Sequence, residues 1–402
     1  MSVRRKLRLT PARLPDRRYG PMRVCIVTTE FLGVGPCGGL GVSARTLGRH
    51  LLARGIEVSV VASGGRQQRD ASPSMLEGIA VRTYDRQNQR AFMRAVRAAD
   101  ADVYQHTQAS LGAYLAQWAM PDRAHVVECA DPRDWDDWKI DFRLPTHSAL
   151  RLIPSFVYFG TRPAALSAQQ ADAVQVPARF LQEKVRRLYR LSADPHYVPM
   201  PFDPPVTVKK SASPLVVFVG RLVRRKRPEI FLDVAQRFPS VRFVVMGGGS
   251  DQSYAGEMKR RGALLSNVEF TDFIDQASDL RFFINLSEAW ILINTAAREG
   301  LPLTFIEVAA NGCAILSACN PDGYASNFGH HVTDGDFARG LDVLLAGDTW
   351  RMAGERARAH ANREHVSSSA IEHQLSLYET ALAHSAERSG GPNLRPAPLV
   401  EQ

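Results

Sequence analysis

Short apolar runs alternate with amphipathic stretches along most of the chain. Residues 23–28 (RVCIVT) are rich in branched side chains and lead into a glycine-rich loop. Over residues 42–54 the apolar positions Val42, Leu47, Leu51 and Leu52 recur at helical spacing, and 58–62 reads as a strand ending at Ser63-Gly64-Gly65. Strand, helix, strand at this spacing predicts a parallel βαβ unit. Further strands are expected at 81–84, 103–105 and 125–129.

The pattern starts again at residues 215–219 (LVVFV), followed by Gly220-Arg221 and a helix from about 229 to 237. Residues 242–246 (RFVVM) end in Gly247-Gly248-Gly249, and short strands are expected at 269–270, 290–294 and 314–317. Each half therefore alternates strand and helix around its own sheet, without an internal sequence repeat. Pro199, Pro201, Pro204, Pro205 and Pro214 cluster at the join, as expected of a hinge. Residues 370–382 predict a final amphipathic helix. The expected organisation is a basic tail at 1–20, a first domain at 21–207 and a second at 208–369. A helix at 370–388 returns to the first domain, and a Gly- and Pro-containing tail follows at 389–402.

Composition agrees with a folded protein. The chain has 402 residues, 45% apolar and 23% charged. This excludes disorder throughout, a coiled coil or a collagen-like fibre. The net charge of +9 suggests a nucleic-acid binder until it is located. Residues 1–20 hold seven Lys/Arg and one acid, a net +6, so the rest of the chain carries only +3. That tail reads as a solvated leader, or as a weak contact with anionic lipid worth about 1 kcal/mol per basic residue. The apolar run 7–14 is interrupted by Arg8, Pro11 and Arg13, so no secretory signal is expected. No run of eighteen apolar residues suggests a membrane span. Five scattered cysteines give neither a disulfide framework nor a metal knuckle, and a reducing cytoplasm is expected.

Three loops carry candidate chemistry. Residues 33–38 match the dinucleotide fingerprint in letters, yet the first glycine lies several residues past its strand, and the second strand ends in Ala62-Ser63 rather than an acid. A nicotinamide or flavin site is not expected. Gly38-Gly39-Leu40-Gly41, immediately before a helix, is the better element, because bare backbone N–H groups there can approach phosphate oxygens. An ordinary tight turn would read the same way. The second loop, Gly220-Arg221-Leu222-Val223-Arg224-Arg225-Lys226, leaves a buried strand at the edge where open α/β sheets bind ligands. Arg221 and Lys226 are singled out as phosphate-binding cations; with four basic residues in six, some are expected to be merely solvated. The third loop holds Glu299-Gly300-Leu301-Pro302, before a helix expected from Pro302 to Asn311 and ending at Gly312. Glu299 and Glu307 flank its N-terminus. There they can accept hydrogen bonds from polyhydroxyl groups while the helix dipole favours an anion between them.

These residues resemble the retaining glycosyltransferases of family 4, the glycogen-synthase-like group 1 enzymes with two facing Rossmann-like domains and a cleft between them, the GT-B fold. The resemblance covers residues from about 22 to 380. It rests on the Gly-Gly-x-Gly loop at 38–41, the Gly-Arg-Leu…Lys run at 220–226, the turn at 247–249 and the Glu-x(7)-Glu motif at 299–307. It implies an α/β enzyme that moves a hexosyl group from a nucleotide-diphosphate sugar, UDP- or GDP-linked, to a carbohydrate, lipid-linked or small-molecule acceptor. The anomeric configuration would be kept, without metal, other cofactor or enzyme-bound sugar. In that scheme Arg221 and Lys226 hold the diphosphate, Glu299 the sugar hydroxyls and Glu307 the ribose. Gly39, Leu40 and Gly41 face the phosphates from the opposite domain. Gly300 and Leu301 belong to the donor loop, and backbone near Gly248 and Phe273 borders the base.

One segment departs from the family pattern. Many members have a His–Asp or similar pair after the strand at 125–129, where this chain reads Glu128-Cys129-Ala130-Asp131-Pro132-Arg133-Asp134. Asp131 is the candidate acceptor-side catalytic residue, or else a turn residue before Pro132. The departure leaves open a non-catalytic sugar-nucleotide-binding relative. Asp134-Trp135-Asp136 admits a metal-dependent glycosyltransferase, although 100–102 and 334–336 match the same triplet.

Overall fold

The structure is a computed structural model. It describes residues 21–34, 38–64, 74–145, 152–249, 251–272, 274 and 280–388. The basic segment 1–20, the fingerprint letters at 35–37, Phe273 and residues 389–402 lie outside these.

Two sheets form the scaffold. The first contains β1 (Arg23–Thr28), β2 (Glu57–Ser63), β3 (Ser74–Leu76), β4 (Ile79–Tyr84), β5 (Val103–His106), β6 (Ala124–Glu128), β7 (Ala173–Val176) and β8 (His196–Tyr197). Their spatial order is β3-β4-β2-β1-β5-β6-β7-β8. All neighbours are parallel except β3, which pairs antiparallel with β4. The second sheet contains β9 (Leu215–Val219), β10 (Arg242–Met246), β11 (Val268–Phe270), β12 (Ile291–Asn294), β13 (Ala314–Ser317) and β14 (Gly329–His331). It is parallel throughout, in the order β11-β10-β9-β12-β13-β14. Their branched, buried runs suit sheets covered on both faces by helices.

In each sheet the order reverses beside the first strand, between β1 and β5 and between β9 and β12. The crevices outside these reversals are where open α/β sheets take ligands. Both glycine-bearing loops leave the strands at these points.

Several boundaries differ from the periodicity. The helix expected from residue 42 begins at Gly39, with Gly38 as its N-cap. Gly39, Leu40 and Gly41 are thus its first turn rather than the loop before it. Glycine carries no apolar signal, so the pattern became visible only at Val42. The helix after Glu299 runs Leu303–Ala310, and Pro302 is its extended N-cap (φ −66°, ψ 130°) rather than its first helical residue. A helix at Thr349–Glu364 was not foreseen, because its buried face consists mainly of Ala353, Gly354, Ala357 and Ala361.

The last helix, Ser367–Arg388, begins three residues before the expected 370 and ends at the expected 388, beyond the amphipathic stretch 370–382. It leaves the second domain at a bridge between Phe202 and Val366. Ile371, Leu375, Tyr378 and Ala381 then join the core formed by β1, β2 and the helix Gly39–Ala53. Each large apolar side chain buried there contributes about 1.5–3 kcal/mol. Gln374 bonds Gln175 (2.9 Å) and Arg388 reaches Asp172 (2.7 Å), which fixes the helix in register. No helix among the described residues is long and apolar enough to cross a membrane.

Candidate functional site

Glycines set the shape of the second crevice. Gly220 and Gly247 adopt φ of +150° and +143°, and a Cβ on Gly247 would stand 2.1 Å from the Gly220 carbonyl oxygen. A side chain at Gly247 would separate β9 from β10, and one at Gly220 would strain the backbone. Leu222 N donates to Gly248 O (2.8 Å), which ties the basic loop to the glycine turn. The basic loop is also tied to the segment after β12. Thr295 Oγ1 donates to Lys226 O (2.6 Å) and to Arg227 O (2.9 Å), and Ala297 N donates to Arg225 O (2.9 Å).

This stitching brings Lys226 and Glu299 into direct ion-pair contact, both largely buried. The Lys226 stem packs over Gly220, and Asn294 Nδ2 donates to Glu299 Oε2 (2.9 Å), which orients the carboxylate. Burial, and next the guanidiniums of Arg225 and Arg221, push the Lys226 ammonium down to about 7. Contact with Glu299 works in the opposite direction. Leu301 and Glu307 are buried close by, Glu307 in the second turn of the helix that follows.

The first domain closes over this pair. Gly38 N donates to Glu30 Oε2 (2.7 Å), and Glu30 Oε1 lies 4.0 Å from Arg221 Nη1. Gly39 has room for a Cβ only 3.6 Å from the Leu303 Cβ. The N-terminus of the helix Gly39–Ala53 therefore faces the loop of Arg221 and Lys226 across the cleft. Its positive dipole end and the two cations converge from opposite walls, an arrangement suited to an anion.

Beside this cleft lies a buried ion cluster that sequence reading missed. Arg298 bonds both oxygens of Asp131 (2.7 and 3.2 Å) and both of Asp141 (3.1 Å each). Arg225 approaches Asp141 (3.6 Å) and donates to Arg298 O (2.9 Å), while Arg133 lies near both carboxylates. Burial alone would raise the Asp131 carboxyl, but Arg298, Arg133 and Arg225 outweigh it and hold it well below the usual carboxylate range. Asp131 and Asp141 come from the first domain, Arg225 and Arg298 from the second. Arg225 is thus an interdomain contact rather than a solvated cation; Arg221 and Arg224 are the exposed members of the run, Arg224 stacked 4.7 Å from the Tyr254 ring centroid. The one available signal for Arg298 was a lone charge among apolar residues directly before Glu299. Asp141 gave none.

Of the residues singled out from sequence, Lys226 and Glu299 meet in the second domain with Arg221 on the same loop, and Gly39 stands across from Leu303; Gly300 abuts Ala130, and Gly41, Leu301 and Glu307 are buried. Gly248 lies at the β10 turn, and Asp131 sits one step aside in the ion cluster. Phe273 is outside the described residues. The Asp-x-Asp at 134–136 is a helix cap: Asp134 Oδ1 accepts from Asp136 N and Asp137 N, both at 3.0 Å. Asp100 and Asp102 pair with Arg23 and Arg123, and Asp336 caps the helix Phe337–Leu345.

Comparison with known proteins gives the same architecture a family. The model for glycosyl transferases group 1 matches residues 200–341, and that for glycosyltransferase family 4 matches 37–204. Poly(glycerol-phosphate) alpha-glucosyltransferase of Bacillus subtilis (strain 168) is 26% identical over 147 residues, 35% of this chain. The match spans only 20% of that relative's length. The structure of HepE from Anabaena in complex with UDP and glucose superposes with a TM-score of 0.65 at 16% identity, covering 88% of this chain and 98% of that one. Sucrose-phosphate synthase from Thermosynechococcus elongatus gives 0.69 at 16% identity, covering 90% and 99%. With one family model on each domain and this fold throughout, the chain belongs to the GT-B, family 4-like glycosyltransferases.

Proposed function

We propose that the protein transfers a glycosyl group, hexosyl in type, from a UDP- or GDP-sugar to a hydroxyl of an acceptor, with retention of configuration and without a metal ion. The observation that carries this reading is the Lys226–Glu299 pair, held at the second sheet's reversal and facing the glycine N-terminus of the helix Gly39–Ala53. HepE, of the same fold, was solved with UDP and with UDP-glucose, which supports a nucleotide-sugar donor here.

The diphosphate lies between Arg221, Lys226 and the N–H groups of Gly39, Leu40 and Gly41. Glu299 receives hydroxyls of the donor sugar and Glu307 those of the ribose, with backbone at Gly300 and Leu301 beneath and Gly248 towards the base. As the bond to the anomeric carbon breaks, negative charge grows on the diphosphate and positive charge on the sugar. Fixed cations and backbone donors stabilise the first more in the transition state than in the bound donor. The departing phosphate oxygen takes the acceptor proton as the new bond forms on the same face. Closure of the two domains excludes water meanwhile.

Incubation with UDP- and GDP-sugars, with and without a chelator, tests this reading. Slow hydrolysis of one donor that survives chelation and releases the sugar with unchanged anomeric configuration is expected. Tight nucleotide binding without turnover of any donor would mark a binding protein instead. Activity lost to the chelator would overturn the metal-free mechanism.

A further inference from the structure

The interdomain cluster does not balance its charges. Three guanidiniums, Arg133, Arg225 and Arg298, meet two carboxylates, Asp131 and Asp141, all of them a quarter exposed or less. The neighbouring carboxylates Asp134 and Asp137 are taken by Lys184. A buried surplus cation is costly unless an anion meets it.

The surplus is not evenly shared. Arg298 makes four hydrogen bonds to the two carboxylates, all at 3.2 Å or less, so both acids are directed at it. Among the described residues Arg133 has no polar contact that short. Its nearest polar atoms are Ser155 Oγ at 3.4 Å, Asp141 Oδ2 at 3.5 Å and Asp131 Oδ2 at 3.6 Å, beyond good hydrogen-bond range. Burial, only partly offset by the carboxylates, makes its guanidinium easier to deprotonate than usual, whereas at Arg298 the same carboxylates outweigh burial.

Arg133 is nevertheless held in place. Its guanidinium carbon sits 4.9 Å from the Trp138 ring centroid and 5.6 Å from that of Phe159. It lines a half-open hollow with Gln108, Cys129, Asp131, Phe159 and Tyr189. A rigid guanidinium fork with only long contacts to its neighbours, backed by rings and bordering a half-open hollow, matches a phosphate or carboxylate.

We propose that Arg133 is the anion-recognising residue of the acceptor cleft, and that the acceptor carries a phosphate or a carboxylate. This rests on the glycosyl-transfer reading above. The donor diphosphate belongs to Arg221 and Lys226, and the acceptor's anionic group belongs to Arg133. Docking of that group would also bring the cluster to charge balance as the domains close.

The test uses the full chain saturated with whichever nucleotide it binds, UDP or GDP, so that the diphosphate site is filled. Calorimetric titrations then compare two pairs of probes: sn-glycerol 3-phosphate against glycerol, and glucuronate against glucose. At least one anionic probe is expected to bind about tenfold or more tighter than its neutral counterpart. The phosphate pair and the carboxylate pair distinguish the two sources. Arg133→Gln should abolish the preference, and Arg133→Lys should restore part of it. Nucleotide affinity should be unchanged in both variants, which also reports that they fold. Equal binding of charged and neutral probes, or a preference that survives Arg133→Gln, would overturn the proposal while leaving the donor site intact. Failure of the wild type to bind either nucleotide would instead defeat the transfer reading itself.

Discussion

A Cβ placed on Gly300 would stand 2.2 Å from the carbonyl oxygen of Ala130, in the other domain. The donor loop and the segment after β6 therefore meet backbone to backbone, and neither can yield by moving a side chain. Gly300→Ala should leave each domain folded but hold the cleft slightly open. Overpacking of this kind costs about 1–3 kcal/mol, so transfer should fall about ten- to a hundredfold. Steady-state rates alongside small-angle scattering with bound nucleotide would check it, and a variant that closes and turns over normally would refute it.

Glu299 is oriented by Asn294 and paired with Lys226. Hydrogen bonds to a charged group are worth about 1.5–3 kcal/mol, so Glu299→Ala should fold and lose about ten- to a hundredfold in turnover. Unchanged turnover would remove Glu299 from the site.

Lys226→Ala should lower turnover by about a hundredfold or more while weakening donor affinity less, the pattern of a charge that acts mainly in the transition state. Arg224, exposed and stacked on Tyr254, is the fitting control. Arg225 is not, because its loss would also disturb Asp141. Single-turnover rates with donor titration would separate the variants, and equal effects at 224 and 226 would mean a diffuse basic patch.

With Lys226 pushed down to about 7 by burial, Arg225 and Arg221, the empty site holds this proton less firmly than an ordinary lysine would. A diphosphate binds the protonated form better and raises that value. Binding therefore takes up a proton, and affinity should fall as pH rises above about 7. Lys226→Arg should flatten this dependence, since a guanidinium stays charged throughout. Calorimetry in buffers of different ionisation enthalpy would count the proton, and a pH-independent affinity in the wild type would contradict the assignment.

Asp131 titrates in the folded protein well below the usual carboxylate range, held there by Arg298, Arg133 and Arg225 against the effect of burial. A carboxyl lowered in this way adds stability above its unfolded value, near 3.8, and the gain is lost as pH falls through the folded value. Asp131→Asn should therefore destabilise the protein at neutral pH, by about 3–5 kcal/mol for a broken buried pair, and make its acid limb shallower. Denaturant melts from neutral to acid pH would decide. If stability is untouched and only turnover falls, Asp131 acts on substrate rather than in the cluster.

Much of the scaffold was readable because branched strand runs end in glycines at β2, β9 and β10, and a glycine-rich loop follows β1 at a few residues' distance. Lys226 and Glu299 could be grouped because both lie just past such strands, at the edge where a parallel sheet gathers its loops. The Arg298 cluster was not readable: Asp131 and Asp141 are 167 and 157 residues away in sequence, and no periodicity encodes a pairing between domains. The same holds for Gly300, whose place in the motif was plain but whose neighbour Ala130 was not. The helix Thr349–Glu364 escaped because small residues on its buried face leave little hydrophobic contrast.

The helix Ser367–Arg388 has a consequence for biosynthesis. It fills the core of the domain made first, yet it is translated after the whole second domain. Until it emerges from the ribosome, β1, β2 and the helix Gly39–Ala53 lack Ile371, Leu375 and Tyr378 as neighbours. The second domain has no such debt, since its sheet and covering helices are complete by Glu364. The order of folding should therefore run against the order of synthesis, with the later domain settling first and the earlier one waiting for the final helix to dock.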